Sequence, residues 1–295
     1  MSRSGIVCTP LLSERASLWG AVAVPVVRTG RGPKHRPSWP DSSPIAVVGV
    51  AGALNHTLRP GDLVVAQEIR SAATVLASPA GPLLHSALRR RGLRTTLGPV
   101  YSAEHVIDGA DRARLGATGA IAVDTESAFL AAAAPIGQTA VLRAIVDTPA
   151  APLLRPGTPW RGVLALRALR TAAAVLDEWS AAVGEHEVLI GASVPELAGR
   201  TDLVLVLGAP GNALRRPAEV AAADGVRVQA IGSVAALELS LLRGVRRIGI
   251  VADASAPPQL AEELMNALSG LGPVQVSAVT VTDEHIRIDP PREVS

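Results

Sequence analysis

The run V-D-T-E-S-A-F-L-A-A-A-A-P-I-G-Q-T-A-V-L-R-A-I-V-D-T-P, residues 123–149, decides how the rest of the chain is read. The apolar run Ala120-Ile121-Ala122-Val123 leading into it has the length and composition of a buried strand. Asp124 and Glu126 stand at its C-terminal end, where small residues over 127–134 predict a helix. A second apolar stretch, 139–146, ends on Asp147 and is closed by Pro149. Carboxylates therefore stand at the C-terminal ends of two strands with one helix between them. In open α/β sheets that edge binds ligands. Each carboxylate taken singly has a plainer reading: Glu126 favours a helix N-terminus, and Asp147 opens an Asp-Thr-Pro turn.

Working outward, Ile6-Val7-Cys8-Thr9 reads as a first strand, with Glu14 in the helix that follows. A second strand over 24–27 runs into Arg28-Thr29-Gly30-Arg31-Gly32-Pro33, a Gly-rich loop whose backbone N–H groups suit an anion. Pro37 and Pro40 exclude a regular helix just beyond it. A third strand over 45–48 leads to Gly49-Val50-Ala51-Gly52-Ala53-Leu54, then to Arg59-Pro60-Gly61-Asp62-Leu63-Val64-Val65. Residues with little or no side chain let backbone donors come close to a ligand. A further strand over 100–106 makes Tyr101 and His105 candidate pocket residues.

These segments together resemble the purine nucleoside phosphorylase and nucleosidase superfamily. Its members carry an acidic-Met-Glu-Ser/Ala strand end and, one helix later, a strand ending in Ser/Ala-Asp. Here the two read Asp124-Thr125-Glu126-Ser127 and Arg143-Ala144-Ile145-Val146-Asp147. The wording over about residues 5–180 is closest to the hopanoid-associated branch, which is linked to removing adenine from adenosylhopane. The resemblance implies an α/β fold, a three-layer sheet domain over 1–183. It also implies cleavage of the N-glycosidic bond of an adenine nucleoside, by water or with phosphate as co-substrate. Carried over by motif, Asp147 shares its proton with purine N7, Glu126 binds ribose hydroxyls, and Glu14 orients water or ribose. Gly30, Gly49, Ala51, Gly52, Thr125 and Tyr101 become substrate contacts. Thr125 stands where the superfamily has Met.

From residue 162 to 183 leucines at helical spacing predict one amphipathic helix, and the polar 184–187 marks a boundary. Beyond it strands (188–190, 203–207, 226–231, 247–251) alternate with helices (218–223, 234–242, 258–268), the pattern of a small parallel α/β module over 184–295. Thr201-Asp202-Leu203-Val204-Leu205-Val206-Leu207-Gly208, the run from Gly244 through Ala252-Asp253-Ala254-Ser255-Ala256-Pro257, and the tail Asp289-Pro290-Pro291-Arg292-Glu293 resemble the C-terminal third of the LytB-type hydroxymethylbutenyl diphosphate reductases. That family's Ser-Ser-Asn run is replaced by Gly211-Asn212-Ala213-Leu214, its three cluster cysteines are missing, and Ser255 alone stands as a candidate diphosphate ligand. The alternative to an enzyme is then a non-catalytic accessory protein of isoprenoid or hopanoid synthesis.

Composition narrows the choice. Of 295 residues 48% are hydrophobic but only 2% aromatic, so base-stacking platforms for nucleic acid are not expected. The net charge is +2, carried by arginine with Lys34 as the sole lysine. No long apolar stretch or basic leader is present, which predicts a soluble, cytoplasmic chain. The partners expected are a small nucleoside, a second copy of the chain, or isoprenoid and hopanoid enzymes. Cys8, the only cysteine, cannot supply the several thiolates of an iron–sulfur cluster, and no other cofactor is expected. The purified protein is therefore expected to be colourless, iron-free and inactive as a diphosphate reductase. Stoichiometric iron and sulfide after anaerobic reconstitution, with reductase turnover, would contradict this.

Overall fold

The computed structural model describes residues 5–32, 43–208 and 226–279. The described residues fall into two compact units. The first runs to Gly184 and, beyond the single cut expected near residue 183, takes back the short segments 238–243 and 266–272. The second holds the described remainder.

The first unit is built on β1 (Ile6–Thr9), β2 (Val26–Arg28), β3 (Ile45–Ala53), β4 (Leu63–Arg70), β5 (Val75–Ala77), β6 (Thr95–Ser102), β7 (Ala122–Asp124) and β8 (Thr139–Asp147). Its sheet has the order β2-β1-β3-β7-β6-β4-β5, and β8 pairs with both β3 and β4. The long β3 makes this closure work. Its first half pairs with β1 while its end, Gly52-Ala53, pairs antiparallel with β7. Strands β3, β8, β4, β6 and β7 consequently close a ring. Alternation along the strands turns Ile45, Val47, Val64, Ala66, Val141 and Ile145 into one core. Helices α1 (Leu12–Leu18), α2 (Gly81–Arg90), α3 (Gly109–Ala117), α4 (Ser127–Ala131), α5 (Thr158–Thr171) and α6 (Ala173–Ala182) complete the unit.

All nine residues of β8 are buried, and by strand period Arg143 shares a face with Val141 and Ile145. A cation at this position needs space and partners. Opposite it in register is Gly49 of β3, where an added Cβ would run into the side chains of Arg143 and Glu14. The glycine is thus a packing requirement of the arginine.

Two helix expectations are corrected. The helix read over 162–183 is two helices broken at Ala172, whose N–H is shared among the carbonyls of Ala168, Leu169 and Arg170. The preceding Thr171 returns its hydroxyl to the Arg167 carbonyl, the back-bonding that bends helices. Residues 234–242 form two 3₁₀ turns, Val234–Ala236 and Leu239–Leu242, not one α-helix. The strand expected over 100–106 is earlier, as β6, and residues 103–107 form the loop that leads to Asp108, the N-cap of α3.

The second unit is a parallel sheet, β9 (His186–Ile190), β10 (Leu203–Leu207), β11 (Arg227–Ile231), β12 (Arg247–Ala252) and β13 (Val274–Ala278), in the order β11-β10-β12-β9-β13. It carries α7 (Val194–Ala198), and α8 (Leu260–Ser269) begins in it. The readings of 211–214, 218–223 and 289–293 lie outside the described residues, as does 34–42 of the first unit. No helix among the described residues is long and apolar enough to cross a membrane.

Trp179 of α6 is the largest fully buried side chain of the first unit, and its ring leaves no room for a side chain at Gly5. Trp179→Ala is expected to cost about 3–5 kcal/mol, read as a lower denaturation midpoint. A loss below about 1 kcal/mol would show that the site collapses around the missing ring.

Candidate active site

Arg143 is fully buried, and three carboxylates converge on it. Its Nε lies 2.8 Å from Asp124 Oδ2, and its Nη2 lies 3.5 Å from Glu126 Oε2 and donates to Ser127 Oγ at 3.0 Å. Burial opposes its charge, but Asp124, Glu126 and Glu14 outweigh that and hold it firmly protonated. Arg143 Nη1 is buried without a hydrogen-bond acceptor among the described residues.

Glu14 comes from the first turn of α1, where its Oε2 accepts from Leu11 N at 2.7 Å, the returning half of a capping box. Its Oε1 accepts from Val50 N at 2.8 Å, which ties the helix to β3. Burial pushes its pKa above the ordinary 4.5, against the pull of Arg143 and of the Val50 and Leu11 N–H groups.

The plainer reading of Glu126 fails on local geometry. It is the N-cap residue of α4, yet its side chain makes no capping bond. Asp124 takes that duty: its Oδ1 accepts from the N–H groups of Glu126 and Ser127, both at 3.1 Å, and from Ser102 Oγ at 2.6 Å. The Glu126 carboxylate is thereby left to Arg143 and to the Thr125 hydroxyl, which donates to it. Asp147 is likewise not spent on its turn. Thr148 and Ala151 close that turn through their own backbone groups, while Asp147 Oδ2 takes the guanidinium of Arg112. Arg112 reaches in from α3, nine-tenths buried, and also donates to the carbonyls of Ala53 and Ile107. Gly52 leaves room for the pair, since a Cβ there would stand 3.0 Å from Arg112 and 3.1 Å from Asp147.

Both groups face one cavity of about 280 Å³. Asp147, Glu126, Glu14, Thr125, Ala51 and Gly52 line it, together with His105 and Arg112. Gly49 lies behind the wall, against Arg143 and Glu14. Gly30 takes a positive φ of 80° at the end of its loop, and its neighbour Arg31 is the residue that lines the cavity. Tyr101 does not line it; the ring packs with Leu54, Ala103, Ile107 and Val123. Ser255 belongs to the second unit, exposed after β12, with its N–H on Asp253 Oδ1 at 2.8 Å. Among the described residues no group of three or more His, Cys, Asp or Glu side chains is arranged to hold a metal ion. The sequence motifs assign no role to Arg143, Asp124 or Arg112. Arg143 had a signal, a lone charge inside an apolar strand; Arg112 had none that separates it from Arg114 on the same helix.

No family model matches the chain. Among curated proteins, the chain is 36% identical over 104 residues to the 4-hydroxy-3-methylbut-2-enyl diphosphate reductase of Dechloromonas aromatica (strain RCB), covering 35% of this chain and 34% of that protein. It is 40% identical over 103 residues to the reductase of the same name from Magnetococcus marinus, covering 35% and 33%. The chain thus spans about a third of the length of these curated relatives. Among solved structures, a 5'-methylthioadenosine/S-adenosylhomocysteine nucleosidase from Helicobacter pylori superposes with a TM-score of 0.48 at 15% identity, over 60% of this chain and 97% of that one. The futalosine hydrolase of Helicobacter pylori gives 0.47 at 15%, over 60% and 96%. Both kinds of protein met in the sequence motifs stand among these matches.

Arg143→Met is expected to destabilise the first unit by about 3–5 kcal/mol, because it leaves buried carboxylates without their cation. Thermal unfolding reads this directly. A midpoint within a degree or two of wild type would mean that the carboxylates are neutral or solvated without it.

Proposed function

We propose that the first unit cleaves the N-glycosidic bond of a purine nucleoside, adenine nucleosides being the first to test, and that water is the nucleophile. The observation that carries this reading is Asp147 in the same cavity as Glu14 and Glu126, the two carboxylates backed by the buried Arg143. Departure of the base leaves an oxocarbenium-like sugar and a base that needs a proton. Negative charge around the sugar and an acid at the base are what such a transition state calls for. Glu126 and the Thr125 hydroxyl beside it are placed to hold ribose hydroxyls. Released from Arg112 as the base enters, Asp147 takes up a proton from solvent and passes it to purine N7 as the glycosidic bond breaks. Glu14, across Gly49 from the unpartnered Nη1 of Arg143, orients water and takes its proton.

Phosphate as the nucleophile is favoured less, because a second anion would have to enter a cavity lined by four carboxylates, Glu14, Asp124, Glu126 and Asp147, against two arginines, Arg31 and Arg112. The mechanism calls on no cofactor. A link to adenosylhopane rests on the wording of the motifs and is tested by including a hopanoid-substituted nucleoside among the substrates. For the second unit we propose binding without turnover. Ser255 is its candidate diphosphate contact, beside Gly208 at the end of β10, although the Asp253 carboxylate there opposes an anion.

Adenine release from a panel of nucleosides, with and without phosphate, tests the reading. Turnover is expected without phosphate, and Asp147→Asn is expected to lower kcat by about 10²- to 10⁴-fold. Asp147→Asn with wild-type turnover, or release that requires phosphate, would contradict it.

The pH profile gives a second test. Glu14 accepts a proton only when ionised, and burial raises its pKa above 4.5. The rate should fall as pH is lowered through a value above 4.5. Glu14→Gln should remove that limb and slow turnover throughout. A limb at or below 4.5 that survives in Glu14→Gln would exclude Glu14 as the base.

A further inference from the structure

Two of the four tryptophans stand on the surface of the first unit, Trp19 at 74% and Trp160 at 64% exposure. They belong to adjoining helices, locked together where Arg170 of α5 donates to the carbonyls of Ser17 and Trp19 at 2.9 and 3.1 Å. Helical spacing puts Leu12, Ala16 and the C-cap residue Trp19 on one stripe of α1, and Trp160, Val163 and Arg167 on one stripe of α5. Each of these side chains is exposed, Leu12 at 64%. In a chain with so few aromatic residues, uncovered tryptophans beside aliphatic neighbours mark an interaction surface.

Charge says which partner it fits. The segments that carry these helices, 5–32 and 148–172, contain Arg15, Arg28, Arg31, Arg155, Arg161, Arg167 and Arg170. They contain one carboxylate, Glu14, and it is buried in the active-site cluster. Facing a second copy, Arg15 and Arg167 would meet their own counterparts, and the half-buried Asp177 near this face is already taken by the N–H groups of Ala23 and Val24. We propose that this face docks on an anionic lipid bilayer, with Trp19, Leu12, Trp160 and Val163 seated at the interface and Arg15 and Arg167 on lipid phosphates. Tryptophan rings settle at the headgroup level, and basic residues beside them are drawn to anionic lipid. The consequence for the cavity is positional. Leu11 and Ser13 of the α1 end and Gly162 and Leu166 of α5 line it, so docking sets its rim at the lipid surface.

Co-sedimentation of the full chain with vesicles of phosphatidylcholine alone, or mixed with phosphatidylglycerol, tests this. Binding is expected to the mixed vesicles, weakened by salt and accompanied by a shift of tryptophan emission to shorter wavelength. Trp19→Ala with Trp160→Ala should lower the partition at least about tenfold, as should Arg15→Glu with Arg167→Glu, with thermal midpoints near wild type. No binding to either vesicle would overturn the proposal, as would equal binding to both. A dimer in light scattering that the tryptophan variant dissociates, without vesicle binding, would assign the face to a second copy instead.

Discussion

Arg143 is the constraint from which the first unit is arranged. A guanidinium with no exposure to water is tolerated only where charge and hydrogen bonds replace its hydration. Asp124 and Glu126 reach it from the end of β7 and the turn after it, and Glu14 from the first turn of α1. Gly49 vacates the space it needs. The backbone bonds of Glu14 to Leu11 and Val50 then anchor α1 on β3, so the arginine fixes a helix it does not itself touch through hydrogen bonds.

The same region shows how side chains are released for chemistry. A carboxylate at a helix start or before a turn is normally consumed by orphan N–H groups. Here Asp124 and Ser102 serve the start of α4, and Thr148 and Ala151 serve the turn after β8. Glu126 and Asp147 are then directed into one cavity, Glu126 held by Arg143 from behind its wall and Asp147 by Arg112. The local structure is thus over-determined by neighbours, and this frees two carboxylates for the cavity.

Much of this is legible in the sequence. The apolar runs ending on Asp124 and Asp147 are strands β7 and β8, whereas Gly49 and Gly52, read as room for a ligand, give room to the side chains of Arg143 and Glu14 and of Arg112 and Asp147. Ring closure was not legible, because it depends on β8 pairing with two strands far from it in sequence, which periodicity does not report. Arg112 was hidden for a related reason. Its helix reads as a solvated run, and only the packing of α3 beside Ala53 turns one of its two arginines inward. The single helix read over 162–183 failed because leucine spacing survives a one-residue break at Ala172. In the second unit four strands follow the apolar runs closely; β13 is not legible because its residues are mostly exposed, and 234–242 closes as 3₁₀ turns.

The central claim is that one arginine shared by three carboxylates makes a site suited to positive charge developing on a sugar. The most direct measurement compares the affinities of two nucleoside analogues of the same shape, one with a protonated nitrogen in the sugar ring and one with neutral carbon there. Transition-state mimics gain about 10²-fold or more over ground-state ligands. The account predicts a preference of that order for the cationic analogue, largely lost in Glu126→Gln. Equal affinity for the two, or tighter binding of the neutral one, would contradict it.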